Sequence, residues 1–490
     1  MSLCRWVSLV SACALVSLAC HDYHIDFSEK QGEIRLFDDL YSVAVTDDQR
    51  AVAVGYYGAA YWTEDGGQTW HKGTTDSLAS LYSVAMADPQ YGWAVGQQGL
   101  ILRTEDGGRS WKEQPNLKQD EGFHLFSVTA IDRQTAWAVG TWGTRIKTED
   151  GGKTWVDHSF TIDTKHPMFV WLSPVEQEKV RSGGKVYDDV SINDVDCLPA
   201  PSTRCWLIGE FGYIYYSDDS GATWQSSTIA GSVELEPVRI GYNEIEISED
   251  DRVRLTEFAV QISDQEHLNV AIEPAASAEE IRDFSAGMDG DRIFELFEVL
   301  EARAQEVRAV LEDAGILSDR LRMRGQPPWD YEDFIEDDPE FLDRYFEARR
   351  LETGAVKVRV IQNPNLFTVR FQDANNGMIA GLGGVMLTSD DGGVTWRYRE
   401  TDRTQALFSV SANDGRAVAV GEKGLIRMST DGGATWAVPP EGTIPAIYTF
   451  LRDVDFDPSG RVGYMVGQSG QILRSTDAGY EWSQVLPPAS

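Results

Sequence analysis

Short stretches of alternating apolar and polar residues recur along the chain, as in Leu81-Tyr82-Ser83-Val84-Ala85, Leu125-Phe126-Ser127-Val128-Thr129 and Leu407-Phe408-Ser409-Val410-Ser411. A period of two predicts strands with one face buried, and these fit the innermost strand of a repeated unit. Downstream lies Gly-x-x-Gly, at Gly55/Gly58, Gly96/Gly99, Gly140/Gly143, Gly209/Gly212, Gly381/Gly384, Gly421/Gly424 and Gly467/Gly470, which reads as the turn between a second and a third strand. A third element follows, Ser/Thr-x-Asp-x-Gly-x-Thr-Trp, at 63–70, 104–111, 148–155, 217–224, 389–396, 429–436 and 475–482, relaxed only at Ser110 and Glu481. Its aspartates are Asp65, Asp106, Asp150, Asp219, Asp391, Asp431 and Asp477, and its tryptophans are Trp70, Trp111, Trp155, Trp224, Trp396, Trp436 and Trp482. The carboxylate and hydroxyl can bond turn amides, glycine supplies left-handed backbone, and the ring is buried beside the next strand.

The seven copies of this turn resemble Asp-boxes, also called bacterial neuraminidase repeats, which in known families join the third and fourth strands of β-propeller blades. Each unit therefore carries four strands. Successive tryptophans are separated by 41, 44, 69, 172, 40 and 46 residues, so four intervals match one blade and two carry inserts. The expected fold is all-β: a seven-bladed β-propeller with Asp-box turns and an inserted acidic α+β region, its ring hiding the sheet edges. Either residues 32–37 complete the last blade as an outer strand, or residues 482–486 fill that place unaided.

The order Leu-x-Ser-Val, Trp-Ala-Val-Gly-x-x-Gly and Asp-Gly-Gly-x-Thr-Trp, over most of the chain, resembles the photosystem II assembly and stability factor family. That resemblance implies an exported scaffold without catalysis that attends the biogenesis of a membrane complex, in photosynthetic members the photosystem II reaction centre. The large insert after the fourth box departs from the family pattern.

Because strands alternate direction, the second-to-third turns share a face with the blade connections, and the boxes share the other face with the first-to-second turns. Both inserts, at about 157–187 and 226–362, are blade connections and belong to the Gly-x-x-Gly face. On that face the turn tips include Tyr56, Tyr57, Trp142 and Phe211. These aromatics, with the inserts, form the candidate binding surface; the alternative is that the rings pack under neighbouring connections.

Residues 229–362 hold 33 Asp and Glu against 15 Lys and Arg, about half of the net charge of −35. Alternation in 233–272, as in Asn243-Glu244-Ile245-Glu246-Ile247 and Arg252-Val253-Arg254-Leu255, predicts strands. Ser277-Ala278-Glu279-Glu280 reads as a capping box, and 291–314 places Ile293, Leu296, Phe297, Leu300, Val307, Val310 and Leu311 on one helical stripe before Gly315. Asp338-Pro339-Glu340 begins another helix. The helices need a partner surface: the propeller, each other, or a second protein.

The 43 Lys and Arg against 78 Asp and Glu leave no electrostatic footing for nucleic acid. The 7 histidines show no metal-site spacing, and the paired glycines precede Trp rather than Lys-Ser/Thr, so neither a metal nor a phosphate-binding cofactor is expected. No sialidase arginine triad or facing carboxylate pair assembles from the sequence. Asp194, Asp196, Asp453 and Asp455, with Arg370, lie on inner strands of blades that are not neighbours and are expected to bond loop amides or water. They keep a periplasmic glycoside hydrolase or glycan-binding propeller as the alternative function.

Residues 1–19 read as an export signal, with Arg5 before an apolar run too short to span a bilayer. Its end at Ala19-Cys20 resembles a bacterial lipoprotein signal, with Cys20 as the lipidated residue; a plain cleaved signal ending Ser17-Leu18-Ala19 is the alternative. Cys197 and Cys205 then remain in the body of the protein, either as a disulfide across a hairpin or as reduced thiols. The resulting organisation is signal 1–19, linker 20–30, blades one to four over 31–225, insert 226–362 and blades five to seven over 363–490. The expected partner is a membrane protein or a subunit of a membrane complex, met at the periplasmic face of a bacterial membrane by a lipid-anchored scaffold.

Overall fold

Tyr56 N–H donates to the Asp39 carbonyl at 2.8 Å, and that bond shows how each repeat is built: the Gly-x-x-Gly turn leans on the start of its own innermost strand. The computed structural model describes residues 38–164, 169, 172–230, 235–263, 268–285, 291–323, 354–361, 365–402, 404–413 and 415–485. The export signal, Cys20, residues 32–37 and the helix expected from Asp338 lie outside them.

The first repeat forms an antiparallel sheet from Leu40–Val45, Ala51–Gly55, Ala60–Thr63 and His71–Lys72, paired in that order. Six further sheets of this kind begin with the inner strands Leu81–Met86, Leu125–Ala130, Ile192–Cys197, Leu366–Phe371, Leu407–Asn413 and Leu451–Phe456. Inner strands touch in chain order, and Leu451–Phe456 touches Leu40–Val45, so the sheets close a ring. The second strand of every sheet is nearly continuously apolar, for example Gly92–Gly96, because it is packed on both faces. A separate apolar core fills each junction between neighbouring sheets. At the last junction Leu40, Val43 and Tyr61 of the first sheet meet Tyr464, Val466 and Ile472 of the seventh. The fold is the expected all-β propeller.

Two sheets depart from four strands. The fifth gains Thr228–Ile229, which runs parallel to the outer strand Thr395–Tyr398, and the sixth retains three strands plus a bridge between Met428 and Ala437. The outer place of the seventh sheet is taken by Ser483–Gln484. Cys197 and Cys205 face each other across the fourth sheet and are joined by a disulfide.

In each box the side chains bond as their chemistry requires. Thr63 Oγ1 donates to Asp65 Oδ1 at 2.9 Å and accepts from Gly67 N–H at 3.0 Å, while Asp65 Oδ1 and Oδ2 take the Thr69 amide and hydroxyl. The same set recurs at Asp106, Asp150, Asp219, Asp391 and Asp431, and Asp477 bonds Ser475 and the Glu481 amide. Hydrogen bonds from Thr223 and Thr435 hold the Asp219 and Asp431 carboxyls down to about 2. Trp70, Trp111, Trp155, Trp396, Trp436 and Trp482 are buried, and Trp224 is partly so.

The insert is a second, smaller body with its own core. A sheet ordered Val238–Arg239, Ala355–Ile361, Asn269–Ala275 and Leu321–Met323 packs against the helices Glu249–Ile262 and Asp291–Asp313. The stretch Arg252-Val253-Arg254-Leu255, expected as a strand, is helical, and Asn243 to Ile247 is irregular. Leu255, Phe258, Ala259 and Ile262 are buried at helical spacing, and Ser248 caps the helix through Asp251 N–H; this longer period overrides four alternating residues. The capping box forms as expected, Ser277 N–H donating to Glu280 and Glu280 N–H to Ser277 Oγ.

Candidate functional site

Two hydrogen-bond sets separate the faces of the ring. Thr75, Asn116 and Thr401, all in blade connections, donate to the carbonyls of Gly58, Gly99 and Gly384. Gly66, Gly107 and Gly151 of the boxes donate to Gln49, Gln90 and Gln134 in the first-to-second turns opposite. Both inserts start from connections: Phe160 N–H meets the Gly143 carbonyl, and Ala230 N–H meets the Trp396 carbonyl on the chain's way to the larger insert.

On the Gly-x-x-Gly face the residue before the second glycine turns left-handed, with φ of 54° at Tyr57, 56° at Gln98, 56° at Trp142, 53° at Lys423 and 60° at Ser469. Such backbone is uphill for a side chain bearing Cβ, so these tips are held by the surrounding turn. Tyr56, Tyr57 and Trp142 are 46%, 60% and 50% exposed. The Phe211 side chain lies outside the described residues. Leu78, Leu117, Leu382 and Tyr448 are exposed on the same face, whereas the boxes opposite expose Val394 and Tyr480.

Inside this face lies an aromatic belt that sequence reasoning missed. The second residue of each inner strand is Tyr41, Tyr82, Phe126, Asn193, Phe367, Phe408 or Arg452. Ring centroids follow one another at 6.0 Å from Tyr41 to Tyr82 and 6.1 Å from Tyr82 to Phe126, then at 5.8 Å from Phe367 to Phe408 and 6.1 Å from Phe408 to Phe450. The Arg452 guanidinium lies over the Phe408 ring at 4.7 Å. The signal was present as a column of aromatics at the x of Leu-x-Ser-Val.

Deeper in the channel the expectation for the aspartates needs correction. They bond inner-strand amides of the next blade, not loop amides. Asp194 Oδ2 accepts from Val369 N–H at 2.8 Å and Arg370 Nη1 at 2.7 Å, and Oδ1 accepts from Ser127 Oγ. Asp196 Oδ2 accepts from Phe371 N–H, Asp453 Oδ2 from Val43 N–H and Asp455 Oδ2 from Val45 N–H. Nor are they kept apart by lying on the fourth and seventh blades. Arg370, from the fifth, reaches into the channel, and despite burial the fields of Asp194, Asp196, Asp453 and Asp455 raise its pKa. Burial pushes Asp196 up to about 6 against the pull of Arg370, and pushes Asp455 up to about 7 against its bond from Val45 N–H. Asp196, Arg370, Asp453 and Asp455 line a cavity of about 270 Å³.

Among the described residues no group of three or more His, Cys, Asp or Glu is arranged to hold a metal ion, and no helix is long and apolar enough to cross a membrane.

Among curated proteins none matches the chain. Solved structures of similar shape include YCF48 bound to D1 peptide, at 16% identity and TM-score 0.48, covering 91% of this chain and 96% of that one. YCF48 from Cyanidioschyzon merolae follows at 14% and 0.48, covering 90% and 95%. A GH74 xyloglucanase from Xanthomonas campestris stands at 11% and 0.49, covering 93% of this chain and 55% of its own. Likeness of this degree decides nothing about partner or reaction. The sequence profile described as Photosynthesis system II assembly factor YCF48 matches residues 74–188 and 350–446, which carry the inner-strand, Gly-x-x-Gly and box order of the second, third, fifth and sixth sheets. Over those residues, which make up less than half of the chain, the sequence is similar to the photosystem II assembly factor family of Asp-box β-propellers.

Proposed function

We propose that this chain is an exported, non-catalytic scaffold that binds a protein on its Gly-x-x-Gly face during assembly or stabilisation of a membrane complex. The observation that carries the reading is the gathering of Tyr56, Tyr57 and Trp142, all well exposed, around the aromatic belt of the same face. Rigid rings held on tight turns are suited to act as anchors, since little side-chain freedom is lost on contact. The partial match to an assembly-factor family supports a partner of this kind. On this reading residues 1–19 direct export and Cys20 carries the lipid that holds the scaffold at the periplasmic face of a membrane.

The test is affinity purification of the full chain from native envelopes, read by mass spectrometry. Tyr57→Ala together with Trp142→Ala releases the partner while leaving the thermal transition in place; unchanged recovery would remove the reading.

A glycan-active propeller is the second reading, favoured by the 270 Å³ cavity with Arg370 and two carboxyls of raised pKa. Against it, Asp194 and Asp453 are committed at both oxygens, to Ser127 and Val369 and to Ser409 and Val43 respectively. Turnover of a glycan substrate abolished by Asp455→Asn would decide for the enzyme.

A further inference from the structure

The first residue of the third strand is an interior apolar position in six of the seven blades: Ala60, Ile101, Ile214, Met386, Ile426 and Ile472, all buried. In the third blade this position is Arg145, opposite Val139 in the same register that sets Ile101 opposite Val95 and Ile472 opposite Val466. Its side chain keeps 9% of its exposure. The backbone is paired as elsewhere, with Arg145 N–H donating to Ser159 Oγ and its carbonyl accepting from His158 N–H. Two of the three guanidinium nitrogens are not. Neither Nε nor Nη1 has a hydrogen-bond acceptor among the described residues. Its Cζ lies 3.6 Å from the centre of the Phe160 ring and 5.7 Å from that of Trp224.

A second donor beside it is orphaned. The box tryptophans Trp111, Trp396, Trp436 and Trp482 donate Nε1–H to a glycine carbonyl of their own box. Trp70 and Trp224 do not, and the Nε1 of each is buried without an acceptor among the described residues; only that of Trp224 lies beside Arg145. The nearby carboxylates are occupied. Asp157 takes the Ser159 amide and hydroxyl on one oxygen and Lys185 and Tyr187 on the other, and Asp188 takes the Tyr213 hydroxyl. Two buried guanidinium nitrogens and a buried indole N–H, without acceptors among the described residues, are costly to the fold unless something anionic arrives to pair with them.

The geometry points to an oxyanion site between the third and fourth blades, in which Arg145 and Trp224 Nε1–H bind a carboxylate or phosphate group against the walls of Phe160 and Tyr215. The Phe160 and Tyr215 rings lie 5.2 Å apart and tilted, and both are partly exposed, as is Trp224, so this place reaches the surface. Burial already draws the Arg145 pKa down to about 10, against weak support from Tyr215 and Asp157, which agrees with a cation that lacks its counter-ion. The site stands apart from the partner reading and does not require it.

The experiment is calorimetric titration of the full chain with sodium acetate, N-acetylglycine and inorganic phosphate, each against sodium chloride of equal ionic strength. Saturable binding in the ~millimolar range is expected for one small anion. Arg145→Ile installs the residue that the repeat itself prefers, so the chain folds and binding vanishes. Trp224→Phe keeps the ring, removes the donor and weakens binding about tenfold. Preference for acetate and N-acetylglycine identifies a peptide carboxylate as the occupant, and preference for phosphate identifies the free ion. Absence of saturable binding in the parent chain would show an interior cation held by rings alone and overturn the site, as would binding retained by Arg145→Ile.

Discussion

Asp453 and Val43 lie 410 positions apart in sequence, yet the Asp453 carboxylate accepts the Val43 amide proton at 2.9 Å. The bond joins the last inner strand to the first. It belongs to a series set by the third residue of the inner strands. Val84 N–H donates to Ser42, Val128 N–H to Ser83, Val369 N–H to Asp194 and Val454 N–H to Ser409. Serine accepts the amide at 3.3 Å, and aspartate, which is charged, at 2.8 or 2.9 Å. Among the described residues no strand is shared between the first and seventh sheets, so apolar packing and these carboxylates hold that junction.

Asp453→Ala therefore leaves the Val43 amide and the Ser409 hydroxyl without their buried acceptor, at an expected cost of about 1–3 kcal/mol. Asp453→Asn retains an acceptor and costs less. Urea denaturation followed by tryptophan fluorescence checks the order, and equal midpoints for alanine and parent would refute the role of the bond.

The channel aspartates and the box aspartates pull the pH dependence in opposite directions. Burial lifts Asp196 to about 6 and Asp455 to about 7, above their unfolded values near 4. Between those limits the folded state binds the extra protons, so this contribution to stability falls as pH rises through the window and is flat above it. Asp219 and Asp431 are held down to about 2 by their threonine hydrogen bonds, and their contribution is lost as pH falls from about 4 towards 2. Stability measured across pH 2 to 8 should peak in the mildly acidic range. Asp455→Asn flattens the decline between pH 5 and 7; an unchanged slope would show that Asp455 does not titrate there.

Two glycines of equivalent backbone separate steric from conformational demand. Gly432 has φ of 72° and open space where a Cβ would stand, so Gly432→Ala carries the left-handed penalty alone, about 1–2 kcal/mol. At Gly221, φ is 84° and a Cβ would stand 2.5 Å from the buried ring of Trp137. Overpacking adds its own cost there, giving about 2–5 kcal/mol for Gly221→Ala. Thermal denaturation of the two variants side by side should reproduce that ranking.

What was legible in the sequence was what repeats locally. The hydroxyl, Asp, Gly and Trp of each box bond and pack within one turn, so spacing alone predicted the sheets, and the strand alternation predicted which face carries the inserts. Bonds between blades were not legible, because Asp194 and Val369 or Asp453 and Val43 share no local pattern and meet only when the ring closes. The aromatic belt and Arg145 lay between these cases. Both appear once the repeats are stacked in register, the first as a column of rings and the second as the one charge in a column of apolar residues. In the insert no repeat disciplined the reading, and the alternation of Arg252 to Leu255 gave way to the helical spacing of Leu255, Phe258 and Ile262.

The insert supplies the remaining prediction, through Arg303 and Glu280, both fully buried and joined at 2.6 Å. Arg303 also donates to the carbonyls of Glu244 and Gly241, and Glu280 accepts from Asn243 N–H and Ser277 N–H. Although burial works against ionisation, these bonds keep the Glu280 carboxyl below its usual range. One ion pair thus ties the helix Asp291–Asp313, the cap of Ala278–Ser285 and the irregular stretch after Ile240 into one core. Arg303→Met strands a buried carboxylate and should cost about 3–5 kcal/mol, most of it within the insert. The insert's core is built from its own strands and helices, with Tyr398 of the fifth sheet packed against it, so the loss is expected to fall mainly on the insert. Hydrogen exchange separates the two bodies: amides of Asn269–Ala275 and Asp291–Asp313 lose protection in the variant, whereas those of Leu81–Met86 and Leu407–Asn413 keep theirs. Uniform loss across both sets would mean that insert and ring unfold as one cooperative unit.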